Sequence, residues 1–421
     1  MPDRRDFLKL LTISAATVAV AGHSRRALAS TGRLMSISAM TIAADRRLIL
    51  ADWRQGALLA LNPPAGNPGP DGAFNLKGLN AALEAAGALP RVSAMVWDAE
   101  GRRVLVAVPT GTAPDAPTGL AAITADGAVV LHDPAELVVA RHDLVDRPGD
   151  GALWRHTPVA SLTVTDMVLR DGELIVAGLS NADFAATLRR VPWPFAAGSA
   201  AGVTRVEMYH TVHNQFETRA PVRAMAVVPL DGTDHLLAAY TCTPLVTAPL
   251  ADLKDGASVR AKTIAELGYG NTPLRILPFV LTSYDGTQSD WVLVANATKA
   301  ADLIPLSDIA AANARPGIAA PVKAPFETTA GLSPLQVPLT GVVGLSDQGP
   351  EHLIVMRRES MSGELELVSI RKGAFFRLSD HVNEYDFPTY DYPAGDTFQQ
   401  NYIRPFHAVM RSEEGYPDLV E

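Results

Sequence analysis

The amino-acid sequence predicts an all-β chain folded as a β-propeller of six or seven blades, each an antiparallel meander. A recurring strand pattern, hairpin turns at matching positions and the composition together predict this fold. Of the 421 residues, 48% are hydrophobic and 19% are charged, which excludes a disordered chain. Glycine and proline are frequent, with 32 and 31 copies, but follow no period, so they indicate many turns rather than collagen.

The strand pattern is a five-residue apolar run whose fourth residue is alanine, or methionine in the last copy. The six runs occupy residues 48–52, 104–108, 174–178, 236–240, 292–296 and 353–357. Each run is short, rich in aliphatic residues and bounded by turns, which favours a buried strand over a helix.

Similar segments precede the runs, and turn residues separate the two. The preceding segments include residues 38–40, 93–95, 165–167 and 223–225, which all end in methionine. Asp171-Gly172, Asp231-Gly232 and Asp285-Gly286 are typical of two-residue hairpin turns. A second turn and a further strand follow each run, so each unit reads as a three- or four-stranded meander.

Six units spaced 56 to 70 residues apart match a propeller, in which radial repetition tolerates loops of unequal length. A pair of β-sandwiches is the alternative, but sandwiches do not need near-identical units. A seventh blade could be assembled from the weaker segments 129–131 and 138–140. Short helices are predicted over residues 79–86 and 303–312, both within insertions.

The N-terminus resembles a twin-arginine export signal, with Arg4-Arg5, one spacer and then Phe7-Leu8-Lys9. The apolar run 10–21 is too short for a bilayer span, which needs about 20 residues. Ala27-Leu28-Ala29 supplies a small-x-small cleavage pattern. We therefore expect a cleaved signal peptide over residues 1–29; an ordinary signal peptide and an uncleaved anchor are the alternatives.

The rest of the chain divides into a propeller over residues 30–379 and an aromatic, acidic segment over residues 380–421. That segment holds five of the nine tyrosines and is expected either to close or cap the propeller or to contact a partner. No later stretch is apolar enough to span a membrane, so the expected location is the periplasm or the exterior. Signal removal shifts the net charge from −9 to −12, which argues against nucleic-acid binding.

The repeat pattern over residues 35–375 resembles the superfamily of bacterial propellers with YVTN-type, quinoprotein amine dehydrogenase-type and lactonase-type members. The resemblance lies in the strand pattern and implies a fold rather than an activity. The pairs Gly-His and Trp-Asp of the WD40 type do not recur; Trp97-Asp98 stands alone.

Candidate ligand-binding residues follow the aligned alanine or methionine of each run, where strand ends and loops of a propeller form a funnel. They are Asp52, Trp53, Arg54, Tyr240, Cys242, Asn296, Arg357 and Glu359, with Asn271 from a separate Asn-Thr-Pro segment. Turn residues and solvated channel walls would give the same pattern.

His210 and His213 are further candidates, with Glu217 four residues beyond the second histidine. On a strand the two histidines would point to opposite faces, so a shared metal requires them to lie at a turn. Cys242 is the only cysteine: it could ligate copper, act as a nucleophile or fill a buried space.

A single cysteine excludes c-type haem attachment and cysteine-based metal cages. No phosphate-binding loop is present, which excludes a nucleotide cofactor. Calcium, copper and a quinone remain open as cofactors. The sequence favours an exported protein that binds a small molecule or a partner protein, as an accessory to an extracytoplasmic redox system. The alternative is an enzyme with its site in the funnel, either a quinoprotein-like oxidoreductase or a metal-dependent lactonase or hydrolase.

Overall fold

A computed structural model describes residues 33–373, apart from 114, 155, 182–185, 197, 212, 218–219, 242, 269–271, 284–285, 298, 322–328, 338 and 360–361. The predicted signal peptide and the segment 380–421 therefore lie outside the described residues. Two α-helices are present in the described part, α1 (Leu79–Ala85) and α2 (Leu306–Asn313).

All remaining long elements are strands, which confirms the prediction of an all-β chain. They are β1 (Ile37–Ile42), β2 (Leu48–Asp52), β3 (Ala57–Leu61), β4 (Asn75–Leu76), β5 (Ala94–Asp98), β6 (Arg103–Pro109), β7 (Thr118–Thr124), β8 (Val129–His132), β9 (Val138–Asp143), β10 (Leu153–Trp154), β11 (Thr157–Pro158), β12 (Asp166–Arg170), β13 (Glu173–Leu179), β14 (Ala186–Pro192), β15 (Gly202–His210), β16 (Gln215–Glu217), β17 (Val222–Leu230), β18 (Thr233–Tyr240), β19 (Pro244–Pro249), β20 (Ser258–Glu266), β21 (Pro273–Thr282), β22 (Gln288–Asn296), β23 (Ala301–Pro305), β24 (Leu335–Val337), β25 (Val342–Asp347), β26 (His352–Arg358) and β27 (Leu365–Arg371).

Most of the strands form a propeller-like ring of four small sheets and one large sheet, and β10 and β11 form a separate two-stranded sheet. The small sheets have the strand orders β1-β2-β3-β9, β5-β6-β7-β8, β21-β22-β23-β24 and β25-β26-β27-β4. The large sheet has the order β12-β13-β14-β15-β20-β19-β18-β17, with β16 paired to β15. It joins two antiparallel meanders through the parallel pairing of β15 with β20, and its end strands β12 and β17 contact each other.

The first strands of the meanders contact one another in a closed order: β1, β5, β25, β21, β17, β12 and back to β1. The hydrophobic core is divided in the same way, because each buried cluster contains side chains from two sheets or meanders that are neighbours in this order. The ring is therefore held together by packing between adjacent units.

The six aligned runs form β2, β6, β13, β18, β22 and β26, each the second strand of its meander and almost entirely buried. The preceding segments lie in the first strands β1, β5, β12 and β17, which contact one another in the inner ring. The residues at the ends of the runs stay candidates for the funnel. The predicted turns are confirmed at Asp171-Gly172 and Asp231-Gly232, where all four residues have positive φ.

The weaker segments 129–131 and 138–140 belong to β8 and β9, which complete the second and first small sheets. They therefore do not form an additional meander. The predicted helix over residues 303–312 begins later, because Leu303 lies in β23 and pairs with Leu293. The predicted helix over residues 79–86 is confirmed as α1.

Gly178 in β13 lies against the backbone of a neighbouring loop. A Cβ at this position would lie 1.9 Å from the carbonyl oxygen of Thr163, an oxygen that also accepts a hydrogen bond from Arg189. We expect Gly178→Ala to lower the free energy of unfolding by about 1–3 kcal/mol, because the backbone must shift to accept the methyl group. Urea denaturation measures the change.

Gly149→Ala is the matched control, since a Cβ at Gly149 has nothing within 4 Å. Both substitutions restrict the unfolded chain equally. Equal stability of the two variants would contradict the close approach at Gly178.

Candidate functional site

A cavity of about 600 Å³ lies where the meanders that begin with β1 and β12 meet. Its walls include Thr41 and Ile42 of β1, Met167 and Leu169 of β12, and Arg275 of β21. Because β17 separates β21 from β12 in the ring, Arg275 reaches past β17 to this cavity. The cavity therefore brings together strands that are not neighbours.

The cavity lining also includes an aromatic side chain, Trp193, and acidic groups that already have partners. The guanidinium of Arg47 lies 4.6 Å from the ring centroid of Trp193 and also bonds Asp45. That hydrogen bond is the main reason why the pKa of Asp45 lies below its ordinary value. Asp171 lies 3.4 Å from Arg170. This part of the lining thus offers apolar surface with its negative charge largely balanced.

Asp166 is a buried carboxylate at the start of β12. It accepts hydrogen bonds from the backbone N–H groups of Met167 and Met225, each at 2.8 Å, and lies 3.2 Å from Arg275 Nη1. Burial raises the pKa of Asp166, although Arg275 and the two backbone donors oppose the shift. The carboxylate therefore connects three strands of the inner ring.

Arg275 has donor capacity beyond its contact with Asp166. Its side chain is 32% exposed, and its Nε is buried without a hydrogen-bond partner among the described residues. Arg223 on β17 adds a second, partly buried guanidinium whose pKa burial lowers, while Asp166 opposes that shift. The inner ring therefore carries two cationic groups near one acidic group.

Asp166 and Arg275 occupy equivalent positions in their meanders. Each lies opposite the alanine of its aligned run, Ala177 and Ala295 respectively. In the other four meanders this position holds a small residue: Ala39, Ala94, Ala224 or Gly344. The salt bridge is thus formed at the two positions where a charged residue replaces a small one.

A second cavity of about 410 Å³ lies near β9 and β14 and is lined partly by Arg189 and Asp146. Arg189 is fully buried and donates to both carboxylate oxygens of Asp146 and to the carbonyls of Thr163 and Leu179. These bonds within the fold occupy the Arg189 donors, so Arg189 has fewer hydrogen bonds available for a ligand in this cavity than Arg275 has in the first.

His210, His213 and Glu217 form a separate cluster at the hairpin between β15 and β16. One potential ligand atom from each lies within 4.8 Å of the other two. His210 Nδ1 is 3.2 Å from Glu217 Oε2, and His213 Nδ1 is 2.5 Å from Glu217 Oε1. Burial alone would raise the pKa of Glu217, but hydrogen bonds with Gln215, His213 and His210 place it below its ordinary value.

The buried side of this cluster continues into a hydrogen-bonded chain. His210 Nε2 lies 3.1 Å from the hydroxyl of Thr243, and that hydroxyl donates to Glu266. The other oxygen of Glu266 accepts the backbone N–H of Thr211 at 3.0 Å. The predicted histidine pair is therefore brought together at a turn, as a shared metal ion requires.

Asp52, Trp53 and Arg54 lie together at the turn between β2 and β3. The buried carboxylate of Asp52 accepts hydrogen bonds from the N–H groups of Met35, Arg54 and Gln55 and from the Ser36 hydroxyl. These four donors account for the burial of Asp52 as a turn residue. Arg54 lies 5.0 Å from the ring of Trp53 near the surface.

Asn296 and Arg357 lie at the ends of β22 and β26 and contact their own meanders. Asn296 Nδ2 donates to the carbonyl of Ala300 and to Asp302 Oδ2, whose carboxyl pKa is raised by burial. Arg357 Nε donates to Glu366 at 2.8 Å.

Glu359 accepts a hydrogen bond from the backbone N–H of Ser362. Tyr240 is fully buried, and burial raises the pKa of its hydroxyl. Cys242 and Asn271 lie outside the described residues. Of the nine predicted residues that the structure describes, Asp52, Trp53 and Arg54 form one local group and His210 and His213 another, and none of the nine lines either cavity.

Sequence reasoning missed Asp166, Arg275, Thr243 and Glu266. The repeat contains a signal for Asp166. The segments 38–40, 93–95 and 223–225 have alanine in the middle, whereas the segment 165–167 has Asp166 there. A charged residue at a position otherwise held by alanine marks a local departure from the repeat. Thr243 and Glu266 follow no pattern that points to His210.

No protein-family model matches the sequence, and no curated protein matches it significantly. Among solved structures, the chain is similar to the extracellular domain of a hybrid two-component system from B. thetaiotaomicron. The identity is 10% and the TM-score 0.31, over 82% of this chain and 36% of that one. The chain thus spans little more than a third of that structure, and a similarity at this level does not identify a function.

Neither helix among the described residues has the length and apolar character needed to cross a bilayer.

Asp166→Asn replaces the buried carboxyl group with a neutral group of nearly the same shape. Because the folded-state pKa of Asp166 is raised, its stabilising contribution is present at low pH and is lost as the pH rises through that pKa. We expect the free energy of unfolding of the wild type to fall relative to that of the variant between acidic and neutral pH. Urea denaturation across this range measures the difference.

Asp290→Asn is the control, because Asp290 is an exposed carboxylate in β22. This variant should keep the pH profile of the parent. A pH-independent difference between wild type and Asp166→Asn would contradict the raised pKa.

Proposed function

We propose that this chain is an exported, propeller-like binding protein that takes a small molecule in the cavity where the meanders that begin with β1 and β12 meet. The observation that supports this most is the placement of Arg275, a partly exposed cation with an unused buried donor, on the wall of a cavity of about 600 Å³. Pockets that combine apolar walls with a few oriented polar groups are typical of small-molecule sites.

The lining suggests the chemical class of the ligand. Ile42, Met167 and Leu169 offer apolar surface, and Trp193 adds an aromatic face. Arg275 offers a guanidinium, which binds carboxylates and related anions well because its donors are fixed in one plane. A small organic anion with an apolar or aromatic body therefore fits this cavity best.

The proposed propeller has six blades. Four are the small sheets, and the remaining two are the meanders β12–β15 and β17–β20, which the parallel pairing of β15 and β20 links into the large sheet. Membership of the YVTN and quinoprotein amine dehydrogenase-like superfamily, and an accessory role in an extracytoplasmic redox system, are part of the same proposal and rest on the repeat pattern.

The binding proposal is tested with anilinonaphthalene sulfonate, a fluorescent probe that has an aromatic body and one sulfonate. The folded protein should bind it, and Arg275→Gln should weaken binding about tenfold or more, because a hydrogen bond to a charged group is lost. Trp193→Phe removes aromatic surface without changing the charge and should also weaken binding. Fluorescence titration measures both affinities.

Arg315→Gln is the matched control, since Arg315 is an exposed arginine outside the cavity lining. Circular dichroism confirms that each variant is folded. Unchanged affinity in both cavity variants would contradict a site in this cavity.

Export is proposed from Arg4, Arg5 and the cleavage pattern at 27–29. Replacing both arginines with lysine should keep the charge and retain the full-length chain in the cytoplasm. Cell fractionation followed by mass spectrometry of the intact protein checks this, and the wild type should begin near Ser30 in the exported fraction. Recovery of an exported, cleaved double variant would contradict twin-arginine export.

A further inference from the structure

The cluster of His210, His213 and Glu217 lies apart from the cavity lined by Arg275 and has its own chemistry. The three residues belong to one hairpin, in which His210 pairs with Gln215 and Met208 pairs with Glu217. His210 ends β15 and His213 follows in the turn, so the reversal of the chain brings both imidazoles to the same carboxylate. The imidazole centroids are 4.2 Å apart.

The hydrogen-bonded chain behind His210 determines which ring nitrogen carries a proton. Thr243 donates its hydroxyl hydrogen to Glu266, so its oxygen must accept from His210 Nε2. A neutral His210 is therefore protonated at Nε2, and the lone pair of Nδ1 faces Glu217 Oε2 at 3.2 Å. Two acceptors this close to each other are placed to share one cation.

That cation is either a proton or a metal ion, and the surroundings favour a metal ion. A metal-binding histidine commonly donates its other N–H to an oxygen that fixes the tautomer and the ring orientation. Thr243, backed by the buried Glu266, supplies this oxygen for His210. The arrangement thus orients Nδ1 before any ligand arrives.

The distances suit a tetrahedral ion with one adjustment. Zinc–ligand bonds of about 2.0–2.1 Å place two ligand atoms about 3.3 Å apart. The 3.2 Å between His210 Nδ1 and Glu217 Oε2 fits, whereas the 2.5 Å between His213 Nδ1 and Glu217 Oε1 is too short, so His213 must move to share the oxygen that faces His210. His213 is 51% exposed and has room to move outward, while His210 is held at 1% exposure.

We propose that His210, His213 and Glu217 bind a divalent transition-metal ion of the zinc type. Two imidazole nitrogens and one carboxylate oxygen are ligands that zinc prefers, whereas calcium requires six to eight oxygen ligands. Three protein ligands leave a fourth position for water or a substrate atom, which distinguishes this site from a closed structural site. Thr243 acts as a positioning residue through His210.

The experiment measures zinc binding to the full chain without a polyhistidine tag, after the protein has been stripped with a chelator. The wild type should bind one zinc ion per chain in a calorimetric titration and unfold at a higher temperature when zinc is present. His213→Ala changes an exposed side chain and should weaken zinc binding at least tenfold. His156→Ala removes another exposed histidine outside the cluster and should bind as the wild type does.

Thr243 is tested by two variants that differ in one hydroxyl group. Thr243→Val should weaken zinc binding about tenfold to a hundredfold, the usual cost of losing an oriented outer partner, and Thr243→Ser should restore it. Equal zinc affinities of His213→Ala and His156→Ala, or no stoichiometric zinc on the wild type, would overturn the proposal. In that case the shared cation is a proton.

Discussion

The closed ring of inner strands is the constraint on which the rest of the structure depends, and strand exchange secures it. The meander β5–β8 lies between the sheets that begin with β1 and β25. β4 precedes this meander in the chain and pairs with β27, whereas β9 follows it and pairs with β3. Each is the fourth strand of one of the two neighbouring sheets. Phe74 reinforces the exchange by packing edge-on against Trp97 of β5 at 5.8 Å. The second meander is therefore held by main-chain hydrogen bonds in both adjacent sheets.

Ring closure also explains why the two candidate sites differ. Arg275 on β21 reaches past β17 to Asp166 on β12, so the two residues meet although many residues separate them in sequence. The histidine cluster instead lies on outer strands, where β15 pairs with β20 and where a hairpin can turn outward. The first site lies on a cavity wall and carries the ion pair of Asp166 and Arg275. The second has one buried and one exposed histidine around a single carboxylate.

Local features could be predicted from the sequence, and features that depend on distant pairing could not. Asp171-Gly172 and Asp231-Gly232 specify their turns through φ values that few other residues adopt, so the hairpins were predictable. The exchange of β4 could not be predicted, because a two-residue strand has no periodicity and its partner β27 lies at the other end of the described chain. The proximity of Thr243 to His210 likewise depends on how β15 and β20 pair, which no local pattern encodes. Asp166 is intermediate, since the repeat marks it as unusual without naming Arg275 as its partner.

The exchange of β4 has a consequence for fragments of this chain. A break anywhere between β4 and β27 would place these two paired strands in different fragments. The C-terminal fragment would hold the last sheet without its fourth strand, and the N-terminal fragment would hold β4 without its partner. Each piece would then expose unpaired backbone groups at a sheet edge, which promote association with other chains. Separate halves of this protein are therefore expected to aggregate or to reassemble with each other rather than to persist as soluble subdomains.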